Sequence, residues 1–247
     1  MKIQLLSDTH EDLKRFEPSS EVDLIIHAGD FSKSLHNSIE HIINFVDICE
    51  EYNKDYVIVL GNHDYYGFVY RDEVLKTLDD LEINYLVAGK EFKFRGWTFI
   101  GDTLFSNFNI PGYDNEFLIE NAKYHLSDFH YIGYNSVSLI TPQDYISEFY
   151  KQYAWIDSFR NKENIFVITH FVPSVQLIHE QYEQSPLNPY FVNNLNLKGF
   201  SHWACGHSHQ TIRNIVDGCN VYMNAYGYTN NIEWECPEFN TNYIIEI

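Results

Sequence analysis

The chain reads as an α/β protein. Short runs of aliphatic and β-branched residues recur along its 247 residues, stretches of helical periodicity lie between them, and each run stops at a polar motif. The runs are Ile3-Gln4-Leu5-Leu6-Ser7, Leu24-Ile25-Ile26-His27-Ala28, Val57-Ile58-Val59-Leu60, Ile165-Phe166-Val167-Ile168 and Phe200-Ser201-His202-Trp203-Ala204-Cys205. Bounded by Gly or polar residues, they read as buried strands. Open α/β sheets collect their ligands at the carboxyl ends of such strands, where the polar motifs of this chain stand.

The elements between the strands follow in order. From Leu35 to Tyr52 apolar residues at Leu35, Ile39, Ile42, Ile43, Val46 and Cys49 or Ile48 recur at helical spacing and predict an amphipathic helix. A second helix is expected near Tyr70 to Leu81, with Val74, Leu75, Leu78 and Leu81 on one face, then a strand at Tyr85-Leu86-Val87-Ala88. Phe92 to Phe94 and Trp97 to Ile100, split by Arg95-Gly96, predict a tight hairpin. Residues 106–140 lack sustained periodicity and read as a loop-rich excursion with a short helix near Glu116 to Tyr124. Thr141 suits an N-cap and Pro142 the first helical position, so a helix should run from there to about Phe159. Residues 179–198 form a polar, Pro-containing excursion, and Thr211 to Ile247 alternates enough to supply several strands. With no repeat, linker or low-complexity tract, residues 1–247 are expected to form one domain.

Bulk properties narrow the partners. Lys plus Arg total 16 against 35 Asp plus Glu, for a formal net charge of −19. So acidic a chain is not expected to carry an extended nucleic-acid groove, which normally shows as a basic stripe. A small anionic substrate stays compatible, because divalent cations can invert the local sign. Cys49, Cys205, Cys219 and Cys236 show no C-x-x-C spacing, and the opening Met1-Lys2-Ile3 leads straight into a strand-like run, so a reduced cytoplasmic location is expected. No apolar stretch approaches the roughly 18 residues of a membrane span, so no membrane partner is expected. Nothing in the sequence specifies an oligomer.

Five polar motifs carry the chemistry: Asp8-x-His10, Gly29-Asp30, Gly61-Asn62-His63-Asp64, Thr169-His170 and Gly206-His207-x-His209. A hydrolytic centre with two divalent cations about 3.5–4 Å apart needs imidazoles, carboxylates and a bridging oxygen donor, and these motifs supply that set. Asp8 and His10, two apart, share one face of an extended segment, as do His207 and His209. Taken alone, each residue has a plainer reading: Asp30 and Asn62 as turn residues, His170 as a satisfied core histidine. It is their common placement at strand ends that favours metal ligation. His27, His36, His41, His125, His130, His179 and His202 lack that support and read as structural or surface residues. Asp64 is expected to anchor its loop by accepting backbone hydrogen bonds rather than to orient His63. Among Tyr65, Tyr66, Tyr113, Phe105, Phe108 and Phe129, one or two are candidates to stack on a substrate.

In this order and each after a strand, the five motifs resemble the calcineurin-like metallophosphoesterase superfamily from Asp8 to His209. Gly101-Asp102-Thr103-Leu104-Phe105-Ser106 and Thr169-His170-Phe171-Val172-Pro173-Ser174 look like a subgroup of small bacterial and phage phosphoesterases. The resemblance implies a four-layer αββα sandwich of two mixed sheets flanked by helices, with the site at its loop edge. It also implies the ligands: Asp8, His10, Asp30 and His209 around one metal, Asp30, Asn62, His170 and His207 around the other, with Asp30 bridging.

By the same analogy His63 is no ligand but the catalytic residue that protonates the leaving group while a metal-bound hydroxide attacks phosphorus. Mixed imidazole and carboxylate donors suit manganese, the first expectation, or iron, zinc, cobalt or nickel. The Ser/Thr protein phosphatases of the superfamily carry Gly-Asp-x-Val-Asp-Arg-Gly. Here Gly29-Asp30-Phe31-Ser32-Lys33-Ser34 lacks both the later Asp that orients the catalytic histidine and the Arg that binds phosphate. The expected activity is therefore a phosphodiesterase on a small or nucleotide-like substrate. The alternatives are a phosphomonoesterase, a single-strand nuclease or a non-catalytic scaffold.

Overall fold

A computed structural model describes residues 1–14, 16–229 and 235–247. Its elements run β1 (Lys2–Leu6), β2 (Leu24–Ala28), α1 (Ser38–Glu51), β3 (Asp55–Val59), α2 (Asp72–Asp80), β4 (Phe92–Phe94), β5 (Trp97–Asp102), α3 (Asn115–His125), α4 (Asp128–Tyr131), β6 (Gly133–Asn135) and β7 (Ser138–Leu139). There follow α5 (Pro142–Asp157), β8 (Ile165–Thr169), α6 (Asn188–Phe191), β9 (His202–Cys205), β10 (Thr211–Val216), β11 (Cys219–Asn224) and β12 (Ile244–Glu246). Of the strands expected between Thr211 and Ile247, any part on residues 230–234 lies outside the described residues.

Two mixed sheets form the centre. One has the order β12-β1-β2-β3 and the other β10-β11-β9-β8-β5-β4. Strands β1, β2 and β3 are mutually parallel, as are β5, β8, β9 and β11, while β12, β4 and β10 run antiparallel at the edges.

The period of two in each strand separates three apolar layers. Ile3, Leu5, Leu24, Ile26, Val57 and Val59 of the first sheet face Phe99, Phe166, Ile168 and Ala204 of the second. Their neighbours Leu6, Ile25 and Ile58 point the other way, onto Ile42, Phe45 and Cys49 of α1 and Val74 and Leu78 of α2. On the far side Ile100, Ile165, Val167 and Trp203 cover Phe149 and Ile156 of α5. The result is the expected four-layer αββα sandwich. Central strands buried on both faces must be apolar throughout, which explains the unbroken runs in the sequence. Truncating a residue such as Phe166 in the middle layer should cost about 3–5 kcal/mol.

Helix boundaries follow from local backbone chemistry. Helix α1 starts at Ser38 and not Leu35 because His36 takes a φ of 64°, and α2 starts at Asp72 because Arg71 also has a φ of 64°. At α5 the Thr141 side chain accepts from Asp144 N while the Asp144 carboxylate accepts from Thr141 N, a reciprocal cap with Pro142 in the first turn.

Two expectations are revised. Tyr85 to Ala88 is no strand: Tyr85 bridges Ile58 for one residue, and the chain then crosses between the sheets, with Ala88 N donating to Asp102 Oδ2 at 2.7 Å. The excursion of residues 106–140 is packed rather than open. It holds α3, α4 and the β6–β7 hairpin, and Phe108, Leu118, Ala122, Phe129 and Ile132 belong to the same core cluster as Ile42, Phe45 and Cys49 of α1.

Candidate active site

The five motifs meet at one edge of the sandwich because β1, β2, β3, β8 and β9 all end there. Asp8 and His10 follow β1, Asp30 follows β2, Asn62 and His63 follow β3, His170 follows β8, and His207 and His209 follow β9. After each strand the chain must turn sharply to aim a side chain back across the edge. Asp8, His10, Asp30, His207 and His209 accordingly adopt φ values of 54°, 45°, 59°, 71° and 47°. Such left-handed backbone is costly for these residue types and is typical of functional sites. Hydrogen bonds from Asp8 N to Gly29 O at 2.8 Å and from His10 N to Asp30 O at 3.2 Å hold the first two turns together. Glycines make room for the carboxylates. A Cβ on Gly61 would overlap Asp30 Oδ1, and one on Gly206 would lie 2.7 Å from Asp8 Oδ2.

Seven of the eight residues expected at the site converge, and Asn62 lies next to His63 in the loop after β3. Three overlapping groups, Asp8–His10–His209, His10–Asp30–His63 and Asp30–His170–His207, each bring one donor atom per residue within 4.8 Å of the others. His10 Nε2 faces His209 Nε2 at 3.0 Å, and His207 Nδ1 faces His170 Nε2 at 3.2 Å. The Asp30 carboxylate stands between the pairs, with Oδ2 4.0 Å from His10 Nε2 and 3.3 Å from His170 Nε2. Asp8 Oδ1 lies 3.5 Å from His209 Nε2. Asn62 Oδ1 is buried and has no hydrogen-bond partner among the described residues.

This donor set fits divalent cations. Imidazole nitrogens are turned toward one another with carboxylate oxygens between them, and Asn62 adds a buried amide oxygen without a hydrogen-bond partner among the described residues. The far side of each ring is fixed in the way metal-ligating histidines usually are. His170 Nδ1 pairs with Ala28 O at 2.8 Å, His10 Nδ1 with Ser32 O at 3.3 Å, and His209 Nδ1 with Glu235 Oε2 at 2.6 Å.

Electrostatics point the same way. Burial works against a charged His170, but the Asp30 carboxylate beside it wins and raises its pKa to about 9. Burial likewise opposes charge on His209, and Asp8 and Glu235 overcome it, raising its pKa to about 10. Burial pushes His10 down to about 4 and His207 well below its ordinary value. Burial alone would raise the carboxyl of Asp8, yet His209 holds it below the usual range, as His170 does for Asp30. Two carboxylates in a buried cluster thus demand positive charge, which two ring protons supply when no cation is bound.

His63 belongs to neither facing pair, although its ring lies edge-on to His10 with centroids 5.2 Å apart. Its backbone N–H donates to Asp30 Oδ1 at 3.0 Å, its ring stacks on Tyr66 at 4.4 Å, and its Nε2 lies 3.5 Å from the Tyr228 hydroxyl. Asp64 is the loop anchor expected from the sequence: its carboxylate accepts from Gly61 N at 2.8 Å, Asp30 N at 2.9 Å and Phe31 N at 2.9 Å. Burial raises its pKa to about 7, with the Asp30 charge adding to the rise. Of the six candidate stacking aromatics only Tyr66 has its ring against His63; Tyr65, Phe105 and Phe108 are core residues with no exposure.

Three residues at the site went unread in the sequence. Glu235 anchors His209, Tyr228 stacks on His10 at 4.1 Å, and Asp128 accepts from Asn62 Nδ2 at 2.8 Å. None belongs to a motif, and their distance along the chain from the residues they touch leaves no local signal.

Comparisons with known proteins agree with this geometry. No curated protein matches the chain by sequence. Among solved structures, a phosphopantetheinyl hydrolase from Mycobacterium tuberculosis superposes with a TM-score of 0.66 at 15% identity, over 92% of this chain and 89% of that one. A dimetal phosphatase from Danio rerio superposes with a TM-score of 0.51 at 14% identity, over 90% and 86%. At these identities the likeness speaks for the fold. The profile of the calcineurin-like phosphoesterases matches residues 1–211, which include all five motifs. The chain belongs to the calcineurin-like phosphoesterase family and is a metal-dependent phosphoric ester hydrolase.

Proposed function

We propose that this hydrolase cleaves a small or nucleotide-like phosphodiester, using Asp8, His10, Asp30 and His209 to hold one divalent cation and Asp30, Asn62, His170 and His207 to hold a second. The observation that carries the reading is the Asp30 carboxylate standing between two pairs of facing imidazoles. A bridging carboxylate offsets the repulsion between two close dications. Manganese is the first choice for this mixed donor set, with iron, zinc, cobalt or nickel as alternatives. Bound cations would supply charge for the phosphoryl oxygens and acidify water.

The chain's own groups account for the rest. His63 lies beside the cluster, tied by its backbone to Asp30 and backed by Tyr66, so its free ring edge is placed to give a proton to a departing alkoxide. Among the described residues no Lys or Arg pairs with any of the eight site residues, and the neighbouring rings are Tyr66, Tyr228, Phe171 and Phe191. Such surroundings favour the single negative charge and apolar ester arms of a diester over a monoester dianion. The acidic surface supports a small substrate rather than a long nucleic acid.

Residues 1–247 act as one domain on this reading, supported by β12, beyond the matched profile, pairing with β1. A reducing, cytoplasmic location is supported by four buried cysteines, all free. Among the described residues no helix is long and apolar enough to cross a membrane.

The test is a chelator-treated protein assayed with bis(p-nitrophenyl) phosphate, p-nitrophenyl phosphate and a single-stranded oligonucleotide, before and after Mn2+ is restored. Hydrolysis should depend on the metal and be fastest on the diester. Faster turnover of the monoester or the oligonucleotide would replace the substrate assignment, and activity indifferent to chelation would remove the two-metal reading.

A further inference from the structure

Asp128 lies on α4, outside every motif, yet its carboxylate reaches the candidate metal cluster through one intermediary. It is buried, at 1% exposure. Oδ1 accepts from Asn62 Nδ2 at 2.8 Å and from the Tyr66 hydroxyl at 2.6 Å, and Oδ2 accepts from the Tyr145 hydroxyl at 2.6 Å.

The chemistry of an amide gives this arrangement a consequence. Asn62 has a donor end and an acceptor end of nearly the same shape, so its neighbours decide which end faces where. An ionised carboxylate only accepts. It therefore claims the NH2 end of Asn62 and turns Oδ1 the other way, where that atom is buried without a partner among the described residues. Leaving a buried acceptor unpaired costs about 1–3 kcal/mol, so the orientation is one the protein maintains against a penalty. A hard cation is the partner such an oxygen lacks.

We propose that Asp128 is a positioning residue that locks the Asn62 amide with its oxygen, not its nitrogen, toward a divalent cation beside Asp30, His170 and His207. The proposal rests on the reading of Asn62 as a metal ligand. It assigns a task to the segment between β5 and α5, which brings Asp128 to the loop after β3. The same carboxylate holds the hydroxyl of Tyr66, whose ring backs His63, so the metal ligand and the proton donor share one buried anchor.

Binding of Mn2+ to the metal-free full-length protein, followed by the paramagnetic resonance of the free ion, tests this without recourse to activity. Asp128→Asn keeps the side-chain volume but can donate to Asn62, which releases the lock. Asp128→Glu keeps an acceptor-only group at the expense of shape. The expected order of affinity at one of the two sites is wild type, then Glu, then Asn, with Asn weaker than wild type by about 10–100-fold. A role confined to packing predicts the reverse order for the two variants and overturns the proposal.

In the double variant with Asn62→Ala, Asp128→Asn should cost nothing further, and an additive loss also overturns it. If Asn62→Ala leaves Mn2+ binding intact, the ligand reading of Asn62 fails and takes the proposal with it. If Asn62→Ala weakens binding and Asp128→Asn does not, only the positioning role falls. Tyr145→Phe, which removes a donor from the opposite oxygen, should leave Mn2+ affinity unchanged. Circular dichroism and melting of each metal-free variant report folding independently, and Asp128→Glu against Tyr145→Phe still decides the question where Asp128→Asn does not fold.

Discussion

The two halves of the candidate metal centre use similar donors but are supported differently. Around His10 and His209 the outer support is the Ser32 carbonyl and Glu235, a carboxylate whose side chain is 46% exposed and which belongs to the C-terminal stretch after β11. Around His170 and His207 it is a backbone carbonyl, two phenyl rings and, behind Asn62, the buried Asp128. Water can replace an exposed carboxylate at small cost, but nothing replaces a buried one. The contrast teaches that ligand identity alone does not set how firmly a cation is held. The His170 side should be the tighter, slower-exchanging position and the His10 side the one that fills last.

Breaking the element common to both halves should have the largest effect. Asp30→Ala is expected to lower turnover by more than about 10³-fold and to reduce bound metal, measured by elemental analysis after dialysis, at both positions. Loss of only one equivalent would show that Asp30 does not bridge. Next comes His63→Ala, which should leave two equivalents bound and slow hydrolysis by about 10²–10⁴-fold for esters with poor leaving groups, far less for p-nitrophenolate. Equal losses for both leaving groups would remove the proton-donor role.

Glu235→Gln sharpens the comparison directly. It should weaken one Mn2+ equivalent by about 10-fold while the other holds, as seen by titration of the metal-free protein. Equal weakening of both would erase the difference between the halves. The smallest change is expected from Tyr228→Phe, which keeps the ring on His10 and removes the hydroxyl near His63. A few-fold fall in kcat with unaltered metal content fits a contact of 3.5 Å, which is marginal for a hydrogen bond. A change in metal stoichiometry would instead place Tyr228 among the supports of His10.

How much of this was legible in the sequence follows from the same contrast. Asp8, His10, Asp30, Asn62, His63, His170, His207 and His209 stood out because their motifs follow buried strands in one order, although each residue taken alone has an ordinary structural reading. The apolar runs made buried strands of an α/β protein legible, since strands covered on both faces are apolar throughout, while the four-layer sandwich came only with the family resemblance of the motifs. Asp128 and Glu235 were not, because their significance is a contact made across the fold. In sequence, Asp128 sits in a stretch without sustained periodicity, and Glu235 is one of many acids. The strand expected at Tyr85 to Ala88 failed for a related reason. Its apolar content serves a crossing between sheets, with Leu86 in the middle layer, and composition does not distinguish a crossing from a strand.

The left-handed backbone at Asp8, His10, Asp30, His207 and His209 sets stability and function against each other. Each such residue is less comfortable there than glycine by roughly 1–2 kcal/mol. At Asp8, Asp30 and His209 glycine would break buried ion pairs worth more than that strain, but at His207, whose ring makes no ion pair among the described residues, it would recover the strain and the metal-free form would melt higher as a candidate ligand disappeared. His207→Gly should accordingly raise the melting temperature of the metal-free protein while lowering that of the manganese-loaded form, and thermal selection of this hydrolase has to be carried out with its metal present.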